Sequence, residues 1–428
     1  MYHISTNQTT KHYKAWKNKF KLIICKGTVT IVFNRSSKYY LGLGDNMNCK
    51  TLINLIDEFN DHNIIASLTL KPEKIVFIYE DNKEETDKFK NIKNYLKDKL
   101  PDTDVTGVAI DKLNQDKICK ELGAYKGSET IVNISGGSKL MSLVVYKASK
   151  KYSMESIFID LDNEEMLRLT NREIIRLDAD FINLEVKDFI ASTGGKIISD
   201  STELFSDIKA QQYVEYIVKN YEMWNDLKKI IRDSNIIIHN KFMMDTATIS
   251  LDNLGEYQRR KLKGFLNRLK ELNLIHISRV NRNKIIVKFK NIEAKTLLFK
   301  TGTWLEVLVY RILREIKEIN DVKSGVLFLW DDEVNSVKNE VDVVAICRSR
   351  LIYVSCKDTE KYDEDTLNEL NVYAEKLGGE DAKKILVATK ESYKKSVVRR
   401  AEEMGIEIII FNGNVDSLRK KLNKIMIN

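Results

Sequence analysis

From Thr51 to Ile134 the chain repeats one motif, an apolar run followed by a polar stretch of helical length. Leu52-Ile53-Asn54-Leu55-Ile56, Ile75-Val76-Phe77-Ile78-Tyr79, Val105 to Ile110 and Thr130-Ile131-Val132-Asn133-Ile134 are continuous runs rather than alternating ones. A strand apolar on both sides must be buried on both faces, which is the signature of a parallel sheet covered by helices. The clearest intervening helix runs from about Glu84 to Lys99, and Asp57 to Asn63 reads as a polar loop after the first strand. The alternation predicts a Rossmann-like α/β domain, closed by strands at Ser156 to Asp160 and Met166 to Leu169.

Directly after the fourth run stands Ser135-Gly136-Gly137-Ser138-Lys139, opening a helix through Met141, Leu143, Val144 and Ala148. Glycines admit a ligand close to the backbone, a helix start offers unpaired N–H groups, and Ser and Lys add donors. The segment is an expected anion cradle at the carboxyl end of a strand. It has neither Walker nor G-x-G-x-x-G spacing, and a two-glycine turn into a helix is also a common structural device. Together with the loop after the first strand, it resembles the CARF domain, the cyclic oligoadenylate sensor of type III CRISPR systems, over roughly Met47 to Leu167. The resemblance implies that Ser135, Gly136, Gly137, Ser138 and Lys139, with Asp57 and Asn60 of the first loop, contact a cyclic oligoadenylate. It also implies that two protomers pair around one symmetric pocket. Asp57 and Glu58 fit base or ribose contacts better than phosphates.

A second concentration of chemistry lies at Asn339-Glu340-Val341-Asp342 and Ser355-Cys356-Lys357. Residues i and i+2 of a strand share a face, so Glu340 and Asp342 point together, as do Ser355 and Lys357. Val343 to Cys347 and Leu351 to Val354 flank Arg348-Ser349-Arg350 as a hairpin that brings these ends near each other. Upstream, Thr303 is a plausible cap for a helix with Glu306 in its first turn and Leu305, Val309, Ile312 and Leu313 on one face. Converging carboxylates suit a hard divalent cation, and a lysine can steady a phosphate or orient water.

The succession resembles the PD-(D/E)XK nucleases, departing at Ser355, where the family places its second carboxylate. What the resemblance implies is a site with Asp342 and Glu306 or Glu340 as metal ligands, the Cys356 carbonyl as a further ligand, and Lys357 at the phosphate. Mn²⁺ or Mg²⁺ would serve, with Ser355 acting only through a water. An ordinary amphipathic hairpin with solvated Glu340 and Lys357 is the bland alternative.

Between these regions, Ser192-Thr193-Gly194-Gly195 reads as a linker. Helical spacing through Val214, Ile217, Val218 and Trp224, and again from Leu262 to Leu272, precedes a hairpin at Ile275 to Ile277 and Lys284 to Val287. Helices followed by a hairpin resemble a winged helix. Arg259, Arg260, Lys261, Lys263, Arg268 and Lys270 either grip phosphates or are simply solvated, and His239 and His276 read as structural.

The chain is thus expected to divide into a basic extension at 1–46, either a non-native stretch before a start at Met47 or a poorly ordered basic arm, a sensor at 47–192, a winged-helix-like segment at 193–300 and a nuclease-like domain at 301–428. A formal charge of +8 over 428 residues permits a polyanionic partner without requiring one. Five scattered cysteines without a C-x-x-C pair point to reduced thiols, and the absence of a long apolar run or signal pattern points to a cytoplasmic protein without a membrane span.

The order of the motifs resembles the ancillary CARF nucleases. That implies a homodimer in which cyclic tetra-adenylate switches metal-dependent cutting of DNA or RNA. A CARF-gated transcription regulator with a degenerate nuclease domain is the main alternative, and a repair-type nuclease without a nucleotide switch is another.

Overall fold

A computed structural model describes residues 48–110, 114–240, 242–300, 302–330, 338–379 and 381–427, and of residues 1–47 only four short strands. Within that N-terminal stretch, Phe20–Cys25 and Thr28–Phe33 pair antiparallel. Apart from these and the short strands His3–Ser5 and Tyr40–Leu41, the expected basic extension lies outside the described residues.

The sensor is built from β1 (Thr51–Leu55), α1 (Asp61–Leu70), β2 (Lys74–Glu80), α2 (Lys83–Lys99), β3 (Asp104–Ile110), α3 (Gln115–Gly123), β4 (Thr130–Asn133), α4 (Lys139–Lys151), β5 (Glu155–Asp160), β6 (Glu165–Leu169) and β7 (Ile174–Arg176). The sheet order is β3-β2-β1-β4-β5-β6-β7, with β1 to β5 parallel and β6 and β7 antiparallel, and the short strand Tyr40–Leu41 adds an eighth, parallel to β7, at that edge. Chain order reverses between β1 and β4, so the loops leaving these two strands open a crevice at the carboxyl edge, where open α/β sheets bind ligands. One expectation is corrected: the polar stretch Asp57 to Asn63 is not all loop, because α1 begins at Asp61. Its polar Asn63 and Ser67 are fully buried among hydrogen-bond partners.

Helix α5 (Val186–Ser192) turns through Thr193 and Gly194 directly into β8 (Gly195–Ser199), which pairs with the nuclease sheet. The expected linker is therefore a tight turn, with Gly194 at φ +86°. A middle module follows, with α6 (Thr202–Ser206), α7 (Ile208–Lys219), α8 (Tyr221–Arg232), β9 (Ile237–His239), β10 (Thr246–Ser250), α9 (Glu256–Glu271), β11 (Ile275–Arg279) and β12 (Lys284–Phe289). Its sheet runs β9-β10-β12-β11, so the expected hairpin is joined by a second one.

The last region comprises α10 (Ile292–Phe299), α11 (Thr303–Arg314), β13 (Ile319–Trp330), β14 (Lys338–Cys347), β15 (Arg350–Lys357), α12 (Glu364–Gly378), β16 (Lys383–Ala388), α13 (Ser396–Glu403), β17 (Ile406–Ile410) and α14 (Val415–Ile427). The order is β8-β13-β14-β15-β16-β17, antiparallel through β15 and parallel beyond it. The expected succession is present, and α14 extends it.

Arg348 and Ser349 turn the β14–β15 hairpin with φ of +49° and +57°. Their positive φ follows the right-handed twist of the strands, at a cost because neither is glycine. Sensor residues Leu184, Val186 and Phe189 share one buried cluster with Val326, Phe328 and Val341 of the nuclease sheet. Among the described residues, no helix is long and apolar enough to cross a membrane, and Cys49, Cys119, Cys347 and Cys356 are free thiols.

Candidate functional site

Gly302 adopts φ +105°, a conformation open to glycine, and leads into α11 as its N-cap. Thr303 was expected in that role; it is instead the first helical residue, because only a glycine makes this approach. A Cβ at Gly302 would lie 3.8 Å from the Cys356 carbonyl oxygen and 3.9 Å from Glu306 Oε1, so both oxygens border the same glycine. On β14, the Asp342 carboxylate accepts the Cys356 N–H at 2.7 Å and the Ser355 hydroxyl at 3.2 Å through the same oxygen. Glu306 is buried, and its carboxyl is pushed up to about 8 by burial first and by Asp342 second. Lys300, Glu340 and Lys357 also act on it.

The hairpin ends thus meet as expected: Glu306, Asp342, Ser355, the Cys356 carbonyl and Lys357 converge. Glu340 stands at the rim, half exposed and paired to Lys300 at 2.6 Å. The Lys300 ammonium is opposed by burial, but Glu340, Glu306 and Asp342 raise it above the ordinary lysine value. Lys300 is a member that sequence reasoning missed, since it precedes the recognisable helix.

Among the described residues, no three His, Cys, Asp or Glu side chains lie together as a metal cluster. A cation here would need the main-chain carbonyl of Cys356 beside the two carboxylates. That all-oxygen set fits a hard ion, and the repulsion from Asp342, which adds to burial in raising Glu306, is what such an ion would relieve.

Asp358, directly after Lys357, escaped the sequence reading altogether. Its buried carboxylate accepts from Lys228 Nζ at 2.6 Å, Thr389 Oγ1 at 2.8 Å, Trp304 Nε1 at 2.9 Å and Trp224 Nε1 at 3.3 Å. Arg232 donates to its main-chain oxygen at 3.1 Å. One carboxylate therefore ties the lysine strand β15 to the Glu306 helix α11 and to α8 of the middle module. Burial lowers the Lys228 ammonium, with Asp358 opposing that shift. Only the acid after the signature lysine hinted at this clamp, and its partners lie far away in sequence.

The cradle is held from beneath by neutral amides. Asn133 Nδ2 donates to Asn54 Oδ1 and Asn63 Oδ1, both at 3.1 Å, and Asn133 Oδ1 accepts from the Ser135 hydroxyl at 2.7 Å. Ser135 also accepts the Ile159 N–H at 2.7 Å, so its hydroxyl is committed to the loop. Asn60 is likewise spent on its own turn, bonding Asp57 and Asn63.

Gly136 has no room for a Cβ, which would meet His62 Nε2 at 2.3 Å and the Leu55 carbonyl at 2.6 Å. Ser138 caps α4 through the Met141 N–H at 3.2 Å, and Lys139 stands exposed beside it. Burial raises the Asp57 carboxyl against the N–H groups of Glu58 and Gly137. His62, unforeseen, is buried with Nε2 unpartnered among the described residues, and its imidazole is lowered to about 4 by burial. Asp57, His62 and Ser135 line a cavity of about 320 Å³ together with Ser349, Arg350 and Gly378 of the nuclease domain.

In the middle module, Lys261 bonds Asp226 at 2.8 Å, Arg268 bonds Glu271 at 2.9 Å and Arg259 bonds the Leu254 carbonyl at 2.8 Å. Arg260, Lys263 and Lys270 face solvent.

A Rossmann-like sensor joined to a nuclease-type sheet with converged carboxylates defines a two-domain CARF nuclease architecture. Residues 51–189 match the Card1 CARF domain and residues 293–427 the Card1-like endonuclease domain, together more than half of the chain. The chain thus carries both domains of a CARF ancillary nuclease of type III CRISPR systems. In fold it is similar to Can2 from Sulfobacillus thermosulfidooxidans, solved in complex with cyclic tetra-adenylate, at TM-score 0.61 and 20% identity over 89% of this chain and 98% of that one. Protein VC1899 from Vibrio cholerae aligns at TM-score 0.68 and 20% identity, over 87% of this chain and 97% of that one. No curated protein matches the sequence.

Proposed function

We propose that this chain is a metal-dependent endonuclease of type III CRISPR defence, switched on by cyclic tetra-adenylate. The convergence of Glu306, Asp342, the Cys356 carbonyl and Lys357 carries the reading, since it supplies oxygen ligands and an ammonium at one sheet edge. Glu306, Asp342 and the Cys356 carbonyl would hold Mn²⁺ or Mg²⁺, which when bound polarises the scissile phosphate. Lys357 neutralises charge developing on that phosphate and orients the attacking water. Ser355 steadies Asp342, and Lys300 holds Glu340 at the rim. Asp358 fixes the strand and helix that present these groups.

On the sensor, the Gly136-Gly137 backbone, Ser138 and Lys139 receive the ring phosphates, and Asp57 faces base or ribose. Leu140 and Leu143, 56% and 66% exposed on the first turns of α4, provide an apolar face for a second copy that completes the pocket. The switch runs through the cavity under the cradle, whose far wall is the tip of the catalytic hairpin. Arg350 at that tip pairs with Asp162 of the sensor. A ligand that binds one arrangement of this junction better than another shifts the population of the competent hairpin.

Asp342→Ala and Lys357→Ala are expected to lower activated cutting on the order of a thousandfold while leaving activator affinity unchanged by calorimetry. Retained cutting in either variant would remove the site.

A further inference from the structure

The turn joining β9 to β10 carries Phe242, Met243 and Met244, which are 98%, 55% and 64% exposed, with Ile238 at 48% beside them. Its backbone is nonetheless well anchored. Asn240 Oδ1 accepts the N–H groups of Phe242 at 2.9 Å and Met243 at 3.0 Å, and the Met243 carbonyl accepts from Thr246 N–H at 3.0 Å. Lys295 Nζ donates to the Met244 carbonyl at 2.6 Å. Apolar side chains are thus held out in water on a fixed turn, an arrangement that marks a contact surface.

Its position relates it to the carboxylate site. Lys295 lies in α10, a helix about 12 Å long. The residue ending that helix, Lys300, donates to Glu340 at 2.6 Å. At the base of the turn, the His239 ring meets Phe299 edge-on with centroids 5.6 Å apart. One short helix therefore separates the apolar turn from the site, on a bank where Lys288 and Lys290 are exposed and Asp245 already faces Lys288 at 3.8 Å.

Three side chains on one turn are too few for a protein partner, whose interface needs roughly 1,000 Å² or more. They do match a flat, apolar ring on a polymer whose charges lie along a neighbouring basic bank. We propose that Phe242, supported by Met243 and Met244, is a stacking platform for an unstacked nucleobase of the nucleic-acid substrate, positioning the strand that enters the carboxylate site. The assignment rests on the nuclease reading. Base–aromatic stacking is tolerant of sequence, so the platform adds affinity without reading bases.

The test is fluorescence anisotropy of a labelled thymidine oligonucleotide and an abasic strand of equal length, with the full chain carrying Lys357→Ala and saturated with cyclic tetra-adenylate. Phe242→Ala, at a site too exposed to matter for folding, is expected to weaken binding to the thymidine strand about tenfold. It should leave the abasic strand unchanged, and Phe242→Trp should restore the difference. Unchanged affinity of the Phe242→Ala chain for the thymidine strand, or equal losses on both strands, would overturn the proposal. So would a fall in oligomeric state in Phe242→Ala by sedimentation, which would make the turn an interface between copies. Failure of the nuclease reading registers separately, as absent cutting by the unaltered chain on a gel.

Discussion

In the sensor, the amides and hydroxyls beneath the cradle are neutral and bonded to one another, through Asn54, Asn63, Asn133, Ser67 and Ser135, with the His62 Nε2 left unpartnered beside them. In the nuclease site, buried Glu306 is pressed against Asp342, with Lys300, Glu340 and Lys357 around it. The first is an interior completed by its own amides, which hold the Gly136-Gly137 loop in place. The second is crowded with carboxylates that a bound cation would relieve. A satisfied network specifies shape, whereas a crowded set of carboxylates specifies a ligand. On the proposed reading, that difference would let the activator and a metal bind at separate places in one chain.

The sharpest way to break this contrast is to change shape on the neutral side alone. Gly136→Ala forces a methyl group into His62 and the Leu55 carbonyl, and about 3 kcal/mol of overpacking lowers activator affinity on the order of a hundredfold. Calorimetry with cyclic tetra-adenylate measures that loss, and nucleic-acid binding should persist. If affinity survives, the cradle is not the activator site.

On the charged side, Asp358→Asn leaves Lys228 buried without its counter-ion, a change that costs about 3 kcal/mol. Pairing it with Lys228→Met should recover much of the lost melting temperature. If Asp358→Asn melts like the parent, the clamp is not holding the module to the nuclease sheet.

A smaller effect sharpens the contrast through pH. Because the Glu306 carboxyl is raised to about 8, the folded chain keeps a proton there that the unfolded chain releases near its ordinary value. Without metal, stability is therefore lost as pH rises from the ordinary carboxylate range through about 8. Glu306→Gln should flatten that slope in thermal melts taken in chelator. Added Mn²⁺ should stabilise the parent chain more at pH 9 than at pH 6 and have little effect on the variant. An unchanged slope in Glu306→Gln would place the proton elsewhere.

Much of this architecture was legible in the sequence because it is written in local patterns. Continuous apolar runs disclosed the parallel sheet, the Gly136-Gly137 turn disclosed the cradle, and strand periodicity put Asp342 and Lys357 on convergent ends of a hairpin. Features that depend on tertiary partners were hidden. The start of α1 was obscured by Asn63 and Ser67, polar residues buried for their hydrogen bonds rather than exposed. Asp358 finds its ammonium partner 130 residues earlier, at Lys228, a separation no local pattern reports. Lys300 precedes the helix that announces Glu306, and the role of Thr303 passed to Gly302 because a backbone angle, not a side chain, governs that turn.

The central claim is that occupancy of the neutral cradle governs cutting at the charged site. The most direct measurement is cleavage of labelled single-stranded DNA, single-stranded RNA and supercoiled plasmid with Mn²⁺, in the presence and absence of cyclic tetra-adenylate. The account predicts cutting of at least one substrate only when the activator is present, and loss of that cutting in chelator. Cutting that proceeds equally without activator, or tight activator binding with no cutting of any substrate, would contradict it.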